Sequence, residues 1–454
     1  MINIKIDSRR VEPGDTFVAL RGATVDGHNY ITKAIENGAT RVVVEHDVEC
    51  SVEKLIVEDT NKWLTDYICD TYSKEINELN LIAVTGTNGK TTTAYLTYQI
   101  LNKLGSKTAY IGTIGFYLPD EDFIELPNTT PNILDLYDLI LTAKENGCKN
   151  VMMEVSSHAL HQSRVKGLNY KVAAFTNLTQ DHLDYHETME NYLEAKKLIL
   201  KQLEGAMLVN ADDPCAHSWI GSYNNTKTYG LNGEDYKVLT YHDTEHGTYI
   251  KFSTKEKEYE VETNLRSPFN VYNYLTSLSL INNLGYSIED ILAITPSIYP
   301  PKGRCEQIKV KDGEAVVDYA HTPDAVEKIV KAFSENKKGR VITIVGCGGD
   351  RDPKKRPIMG RIAAENSDYV IFTSDNPRTE DPELIMKDIL AGVNTTNYEV
   401  ELDRRKAIVK ALDLINQNDV VLILGKGHED YQILGHEKVH LDDAEEVRKY
   451  IEQH

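Results

Sequence analysis

The stretch from Leu81 to Thr92 (Leu-Ile-Ala-Val-Thr-Gly-Thr-Asn-Gly-Lys-Thr-Thr) constrains this chain more than any other. Leu81–Thr85 is a short apolar run, which reads as a buried strand. After the glycine turn, Ala94, Tyr98, Leu101 and Leu104 return at helical spacing until Gly105. A strand that passes through a glycine turn into a helix leaves backbone N–H groups and the helix N-terminus facing one point, which suits an anionic phosphate. Lys90 is placed to neutralise β and γ phosphates and Thr91 to put its hydroxyl on Mg²⁺, with Gly86, Thr87, Asn88, Gly89 and Thr92 completing the cradle. The match to G-x-x-x-x-G-K-[ST] is incomplete: Val84 stands where the first glycine belongs, and Gly86 must supply the turn. The bland alternative is a glycine-rich turn with an exposed lysine. A kinase, a GTPase switch and a ligase all begin this way.

The same alternation organises the rest of the chain. Residues 1–78 carry short apolar runs (Phe17–Leu20, Arg41–Val44, Leu55–Val57) between Gly and Asp turns, as in a small α/β unit. A central block, 79–302, contains the phosphate loop and helix starts expected at Thr130-Pro131 and Thr188, and closes at Pro300-Pro301-Lys302-Gly303. Block 303–454 repeats the strand–loop–helix rhythm with strands expected near Ala315–Val317, Val341–Val345, Tyr369–Phe372 and Val420–Leu424. The fold class is therefore α/β, with parallel-rich sheets covered on both faces and, in the last block, loops that leave one edge.

Two further segments carry potential ligands. The strand Val151–Val155 delivers Glu154 to a loop with Ser156, Ser157 and His158, and a carboxylate so placed in a phosphate-loop fold commonly holds Mg²⁺. After Val172–Phe175 comes Thr176-Asn177-Leu178-Thr179-Gln180-Asp181-His182-Leu183-Asp184-Tyr185-His186, where oxygen donors and an imidazole suit Mg²⁺ or Mn²⁺. Downstream, Met189, Tyr192/Leu193, Lys196, Ile199/Leu200 and Leu203 recur at helical spacing, so Lys196 falls on the buried stripe. A desolvated lysine resists protonation and could take up CO₂ as a carbamate; the ordinary alternative is a lysine snorkelling its ammonium to water.

Composition excludes other classes. Acidic residues outnumber basic ones 70 to 50 for a formal charge of −20, which disfavours a nucleic-acid partner. No window approaches the roughly 18 apolar residues of a spanning helix, and the start MINIKIDSRR lacks a leader's apolar region, so a cytoplasmic chain without membrane insertion is expected. The six cysteines form no C-x-x-C pair and fit reduced thiols.

In their order and spacing these segments resemble the Mur ligases, and within them the MurE type that adds the third residue of the peptidoglycan stem. The resemblance is carried by Asp7-Ser8-Arg9, Gly14-Asp15, GTNGKTT, Asn128-Thr129-Thr130-Pro131, MEVSSHAL, TNLTQDHLDYH, Glu194-Ala195-Lys196, Asp318-Tyr319-Ala320-His321-Thr322-Pro323, GCGGDRD at 346–352, Asp375-Asn376-Pro377-Arg378 and Gly425-Lys426-Gly427-His428-Glu429. It implies three domains: 1–78 for the UDP-linked precursor, 79–302 as the phosphate-loop ATPase, and 303–454 as a Rossmann-like domain for the incoming amino acid. In that family the altered phosphate loop is normal, and Lys196 corresponds to a carbamylated lysine that holds metal with Thr91, Glu154 and His182. Ser8 and Ala23-Thr24-Val25 are implied near the uridine end, although family members often carry His-Gln-Ala at the latter. Asn128, Thr129, Thr130, Ser156, Gln162 and Arg164 would line the muramyl-peptide channel; Asn273, Arg304 and Asp318 would meet the nucleotide, and His321 the transferred phosphate. Arg351, Asp375, Asn376, Pro377, Arg378, Gly425 and Glu429 would bind a diamino acid, Arg378 gripping the distal carboxylate that separates meso-diaminopimelate from lysine. The implied activity is ATP- and Mg²⁺-dependent ligation of meso-diaminopimelate to UDP-N-acetylmuramoyl-L-alanyl-D-glutamate through an acyl phosphate, by a monomer. The alternatives are L-lysine at the same step, a phosphate-loop kinase, or a non-catalytic nucleotide-dependent scaffold.

Overall fold

In the computed structural model, which describes residues 2–22, 25–119, 123–244, 247–335 and 337–454, the strands form three large sheets and one small hairpin. Ala23 and Thr24 lie outside the described residues. The first sheet runs Ile4–Lys5, Thr16–Val18, Arg41–Val44 and Glu53–Ile56, all parallel. Alternation splits its side chains: Val42 and Val44 join Phe17 and Ile31 in a small core, while Val18 and Val43 face the other way into the core of the second sheet.

The second sheet has ten strands, and its centre is the trio Tyr170–Phe175, Asn80–Thr85 and Asn150–Glu154. Their parallel register pairs Val84 with Glu154 and Thr85 with Phe175. The strand before the phosphate loop is thus flanked by the two strands that deliver Glu154 and Thr176, and all three end together. The following helix, Lys90–Lys103, buries Ala94 and Leu101 and packs Tyr98 and Leu104 on the same core, the stripe read from sequence. Antiparallel strands finish both edges of this sheet.

The third sheet has six strands in the order Glu306–Val310, Gly313–Asp318, Val420–Leu424, Val341–Val345, Tyr369–Phe372 and Tyr398–Val400. Only its first pair is antiparallel. The four expected strands are present, and their C-terminal ends share one edge. The outer strands Glu306–Val310 and Tyr398–Val400 escaped sequence reading because edge strands are exposed on one side and lose the continuous apolar run. The hairpin Tyr431–Leu434/Glu437–His440 lies against this edge through a bridge from Leu434 to Arg378.

Two helix expectations need correction. The helix placed at Thr130-Pro131 begins at Ile133, capped by Asn132, whose side chain accepts from the Asp135 N–H. Thr130 cannot serve as that cap because its hydroxyl donates to Glu154 O (2.9 Å) and accepts from Ser156 N–H (3.1 Å). Thr188 does cap its helix, but the α-helix Met189–Lys197 tightens into a 3-10 turn, Leu198–Gln202, and Leu203 opens the strand Leu203–Asn210 instead of closing the stripe. Pairing with Tyr170–Phe175 claims that segment. No described helix is long and apolar enough to cross a membrane.

Candidate active site

The phosphate loop is clamped from both sides. Gly86 (φ 146°) and Gly89 (φ 84°) adopt conformations that other residues resist, and a Cβ at either would fall 1.9 Å from Thr176 Oγ1 or 2.4 Å from Asn273 Oδ1. Thr176 Oγ1 donates to Asn88 O (2.7 Å), Asn177 Oδ1 accepts from Asn88 N–H (2.9 Å), and Asn177 O accepts from Thr87 N–H (2.8 Å). Half-buried Lys90 folds its ammonium onto Gly86 O (3.1 Å) and Thr87 O (2.8 Å), so it belongs to the loop and is not a surface lysine. Loss of water lowers its pKa, partly opposed by the Glu154 charge. Thr92 is buried in the first helical turn.

Glu154 is wholly buried at the end of its strand, where it accepts from Thr91 Oγ1 (2.9 Å), Tyr110 OH (2.5 Å), Thr113 N–H (2.9 Å) and Thr113 Oγ1 (3.1 Å). Sequence reading missed Tyr110 and Thr113, which nothing local marks. Gly112 allows the approach, since a Cβ there would meet Glu154 Oε1 at 2.3 Å. Arg304, reaching across from the segment before the third sheet, donates to Thr91 Oγ1 (3.3 Å) with its guanidinium 4.5 Å over the Tyr319 ring. A hydroxyl and a carboxylate in contact are hard oxygen donors of the kind Mg²⁺ takes, so Thr91 and Glu154 fit that ion.

The other two expected metal ligands stand apart from this pair. Lys196 is 1% exposed, donates to Gly86 O (2.8 Å) and lies 4.4 Å over the Tyr192 ring. Burial, reinforced by the Lys90 charge, holds its pKa well below the usual lysine value. A neutral amine suits CO₂ uptake, and only the resulting carbamate would offer oxygens to a metal. His182, in the left-handed region at φ 53°, is 3.4 Å from Asp181 and edge-on to His158, inside a cluster with His161, Tyr185 and His186. Burial lowers its pKa, and that of His186 to about 4, so these rings are neutral at neutral pH. Among the described residues no three His, Cys, Asp or Glu side chains form a ready metal cluster.

The residues expected along the precursor channel make mostly local contacts, Thr129 and Thr130 next to Glu154 and its partner Thr113. Thr129 Oγ1 meets Thr113 Oγ1 (3.0 Å), Ser156 caps its helix on Ala159 N–H, and Arg164 donates to Thr130 O (3.0 Å) and Gln162 Oε1 (2.9 Å). Gln162 in turn donates to Tyr185 OH (3.1 Å). Asn128 is exposed, whereas Ser8 is buried in a short turn whose carbonyl accepts from Asn37. On the nucleotide side, Asn273 Nδ2 donates to Asn270 (2.9 Å) beside Gly89. Asp318 accepts from Cys305 N–H and Ala320 N–H (2.8 Å each), so it shapes the backbone beside Arg304 and His321. Exposed His321 donates through Nδ1–H to Tyr319 O (2.8 Å), while Lys355 donates to His321 O (3.2 Å).

The loops at the third sheet's edge are laced by side chains. Arg378 takes a left-handed backbone (φ 52°), donates its N–H to Ile433 O (3.0 Å) and its Nη1 to Gly349 O (2.8 Å). Asp381 caps the next helix, with Pro382 in its first turn, as expected. Gly425 (φ 114°) leaves room for Asp375, which a Cβ would approach to 2.6 Å. Glu429 accepts from Asn376 Nδ2 (2.8 Å) and Lys426 Nζ (3.2 Å). Arg351 is exposed and donates to the adjacent Asp350 O (3.1 Å). The Pro377 carbonyl lies so near Gly349 that a Cβ would reach it at 1.9 Å. Sequence reading missed Arg356, 2% exposed, which donates to Glu380 (2.8 Å), Asp388 (2.9 Å) and Gly348 O (3.3 Å) and so ties the two loops together. Its spacing from Met359 and Ala363 on the buried stripe, the signal that exposed Lys196, was available. Gly303, just before Arg304, packs so closely on the 425–429 loop that a Cβ would lie 2.0 Å from Gly427.

Comparison with known proteins finds three matching family profiles: Mur ligase family, catalytic domain over residues 2–72; Mur ligase middle domain over 84–281; and Mur ligase, glutamate ligase domain over 303–427. The chain is 39% identical to the UDP-N-acetylmuramoyl-L-alanyl-D-glutamate–2,6-diaminopimelate ligase of Clostridium botulinum, covering 99% of this chain and 95% of that one. Identity is 41% with the proteins of that name from Bacillus cereus (99% and 94% covered) and Aquifex aeolicus (99% and 93%). A solved structure of a ligase with that name matches at TM-score 0.69 and 32% identity over 99% of this chain and 94% of that one. MurF from Thermotoga maritima in complex with ADP matches at TM-score 0.71 and 20% identity, over 100% and 97%, a likeness of fold alone.

Proposed function

The chain belongs to the Mur ligase family, and on that premise we propose that it joins meso-diaminopimelate to UDP-N-acetylmuramoyl-L-alanyl-D-glutamate with hydrolysis of ATP to ADP and phosphate. It is an ATP- and Mg²⁺-dependent amide ligase. The observation that carries the reading is the meeting of Thr91, Glu154 and Arg304 at one hydroxyl, since it joins the phosphate loop to a residue that the third sheet's segment contributes. A kinase has no need of a third α/β unit at its phosphate loop; a ligase must bring a second substrate to the activated first one.

A carboxylate does not accept an amine directly, because oxide is a poor leaving group. In the proposed sequence the terminal carboxylate of the D-glutamyl residue attacks the γ-phosphorus of ATP, ADP leaves, and an acyl phosphate results. The neutral amine of the incoming amino acid adds to the acyl carbon and loses a proton. The tetrahedral intermediate then expels phosphate. Lys90 and the loop amides offset charge as two anions approach. Thr91 and Glu154, with carbamylated Lys196 and His182, would hold Mg²⁺, which would supply further positive charge to the phosphates. Arg304 orients the nucleotide's phosphate end beside Thr91, with Asn273 and Asp318 flanking it and His321 near the transferred phosphate. The 1–78 part takes the UDP end, 79–302 the ATP and 303–454 the amino acid, in a cytoplasmic monomer.

A phosphate-release assay over a panel of amino acids tests the reading. Release should require both the UDP-linked dipeptide and a diamino acid, with meso-diaminopimelate used best. Preference for L-lysine would overturn the substrate assignment, and a precursor that keeps its phosphate as a stable end product in the presence of every amine tested would overturn the ligase reading.

A further inference from the structure

Glu429 and Asn376, which the proposed function sets around the diamino acid, are held by a lysine that no step of that reaction uses. Lys426 has 0% exposure, and its ammonium donates to Glu429 Oε2 (3.2 Å), Asn376 Oδ1 (3.3 Å) and Tyr431 O. Burying an ammonium is costly unless its surroundings are organised for it. Here the surroundings are the two side chains expected to read the substrate's far end.

Charge balance gives the lysine a task. The ionic groups on this wall include Lys426, Arg378 and Arg404, and Glu429, Asp375 and Asp443, with Lys438 4.1 Å over the Tyr431 ring at its edge. Arg404 is fully buried on Asp443 (2.6 Å), and the Asp375 carboxylate accepts from Asn376 N–H (2.6 Å). Arg378 is bound to the same wall, because its N–H goes to Ile433 O while Ile433 N–H goes to Asn376 Oδ1 (2.9 Å). Of these, Lys426 is the cation whose ammonium touches the Glu429 carboxylate (3.2 Å). A lysine substrate would bring an unbalanced ammonium to a carboxylate that Lys426 already shares, whereas the far end of diaminopimelate carries ammonium and carboxylate together and adds no net charge. Away from water an unbalanced unit charge beside another is poorly screened, and this difference decides between the two.

Resting on the proposed function, we propose that Lys426 is a specificity-determining residue: by neutralising Glu429 it makes the pocket reject a diamino acid without a distal carboxylate. Lys426→Met keeps the length of the side chain and removes the charge, and Lys426→Arg keeps the charge. Phosphate-release kinetics on the full chain should show the lysine-to-diaminopimelate ratio of kcat/KM rising at least tenfold in Lys426→Met, through the amino-acid KM and with the ATP KM unmoved, and staying near wild type in Lys426→Arg. An unchanged ratio in Lys426→Met, or an equal rise in Lys426→Arg, would overturn the proposal. If circular dichroism shows Lys426→Met unfolded, Lys426→Gln takes its place, and unfolding of both makes the lysine a framework residue and ends the proposal. A wild type that itself prefers lysine sinks the substrate assignment instead, and that result is visible before any variant is made.

Discussion

The phosphate loop and the amino-acid loops sit on equivalent edges of two α/β sheets, yet they are built in opposite ways. Around Gly86–Lys90 the loop is gripped mainly by backbone groups, small hydroxyls and amides, with the Lys90 and Lys196 ammoniums on its carbonyls, and the two glycines leave no room for a Cβ. Around 346–352 and 375–381 the loops are joined by long charged side chains, Arg356, Arg378 and Lys426, acting on carboxylates and carbonyls. A phosphate is the same in every nucleotide and can be read by fixed N–H groups. A particular amino acid must be told from its neighbours, which takes side chains that differ. Damage to the first region should therefore abolish turnover whatever the amino acid, and damage to the second should change which amino acid is used.

The largest expected effect is on the first side of this contrast. Lys90→Ala should lower kcat by about a thousandfold or more with every amino acid tested, with circular dichroism unchanged. Normal turnover in the folded variant would remove the phosphate-loop assignment and the comparison with it.

Lys196 sharpens the contrast by separating activity from stability. Lys196→Ala should lose most activity, partly restored by formate or acetate supplying the missing metal-binding oxygens; full activity in that variant would end the carbamate idea. Because the folded-state pKa of this lysine lies below its unfolded value near 10.5, folding must leave a proton behind at lower pH. Its burial is without cost above pH ~10.5, and the cost grows as pH falls toward the folded pKa. In CO₂-free buffer at neutral pH, Lys196→Met should then melt higher than wild type, by on the order of 2 °C for a gain of ~1 kcal/mol. That gap should shrink as pH is raised toward 10, and a gap that is absent or reversed at neutral pH contradicts the buried neutral amine.

On the other side, Arg378→Ala should cut kcat/KM for diaminopimelate at least tenfold, on the order of 2 kcal/mol, and leave that for lysine less affected. An unaltered ratio would mean Arg378 does not read the distal carboxylate. The smallest effect is expected for Arg356→Gln. Its carboxylate partners are partly exposed, so screening limits the loss to about 1 kcal/mol of stability, together with a few-fold rise in the amino-acid KM. A change in the ATP KM instead would show that the lacing serves the wrong site.

Sequence reading reached the two regions unequally for the same physical reason. The phosphate loop is contiguous, and glycine, lysine and threonine in fixed order announce it; Thr188 as a cap and Lys196 on a buried stripe were equally local. Thr130 failed as a cap because its hydroxyl is claimed by Glu154 and Ser156, partners more than twenty residues away. Tyr110 and Thr113 meet Glu154 only after strands more than forty residues apart are set side by side. Lys426 lay inside a motif already quoted, but its value as a counter-charge depends on Asn376 and Tyr431 being brought to it. The edge strands Glu306–Val310 and Tyr398–Val400 lacked the apolar run that betrays a central strand.

The close packing of Gly303 on Gly427 has a mechanical meaning. The peptide leading into the last third of the chain rests directly on the loop that carries Lys426 and Glu429, and its next residue, Arg304, touches Thr91 at the far end of the cleft. The two substrate stations are thus coupled in series through a single stretch of main chain, like two gears on one shaft.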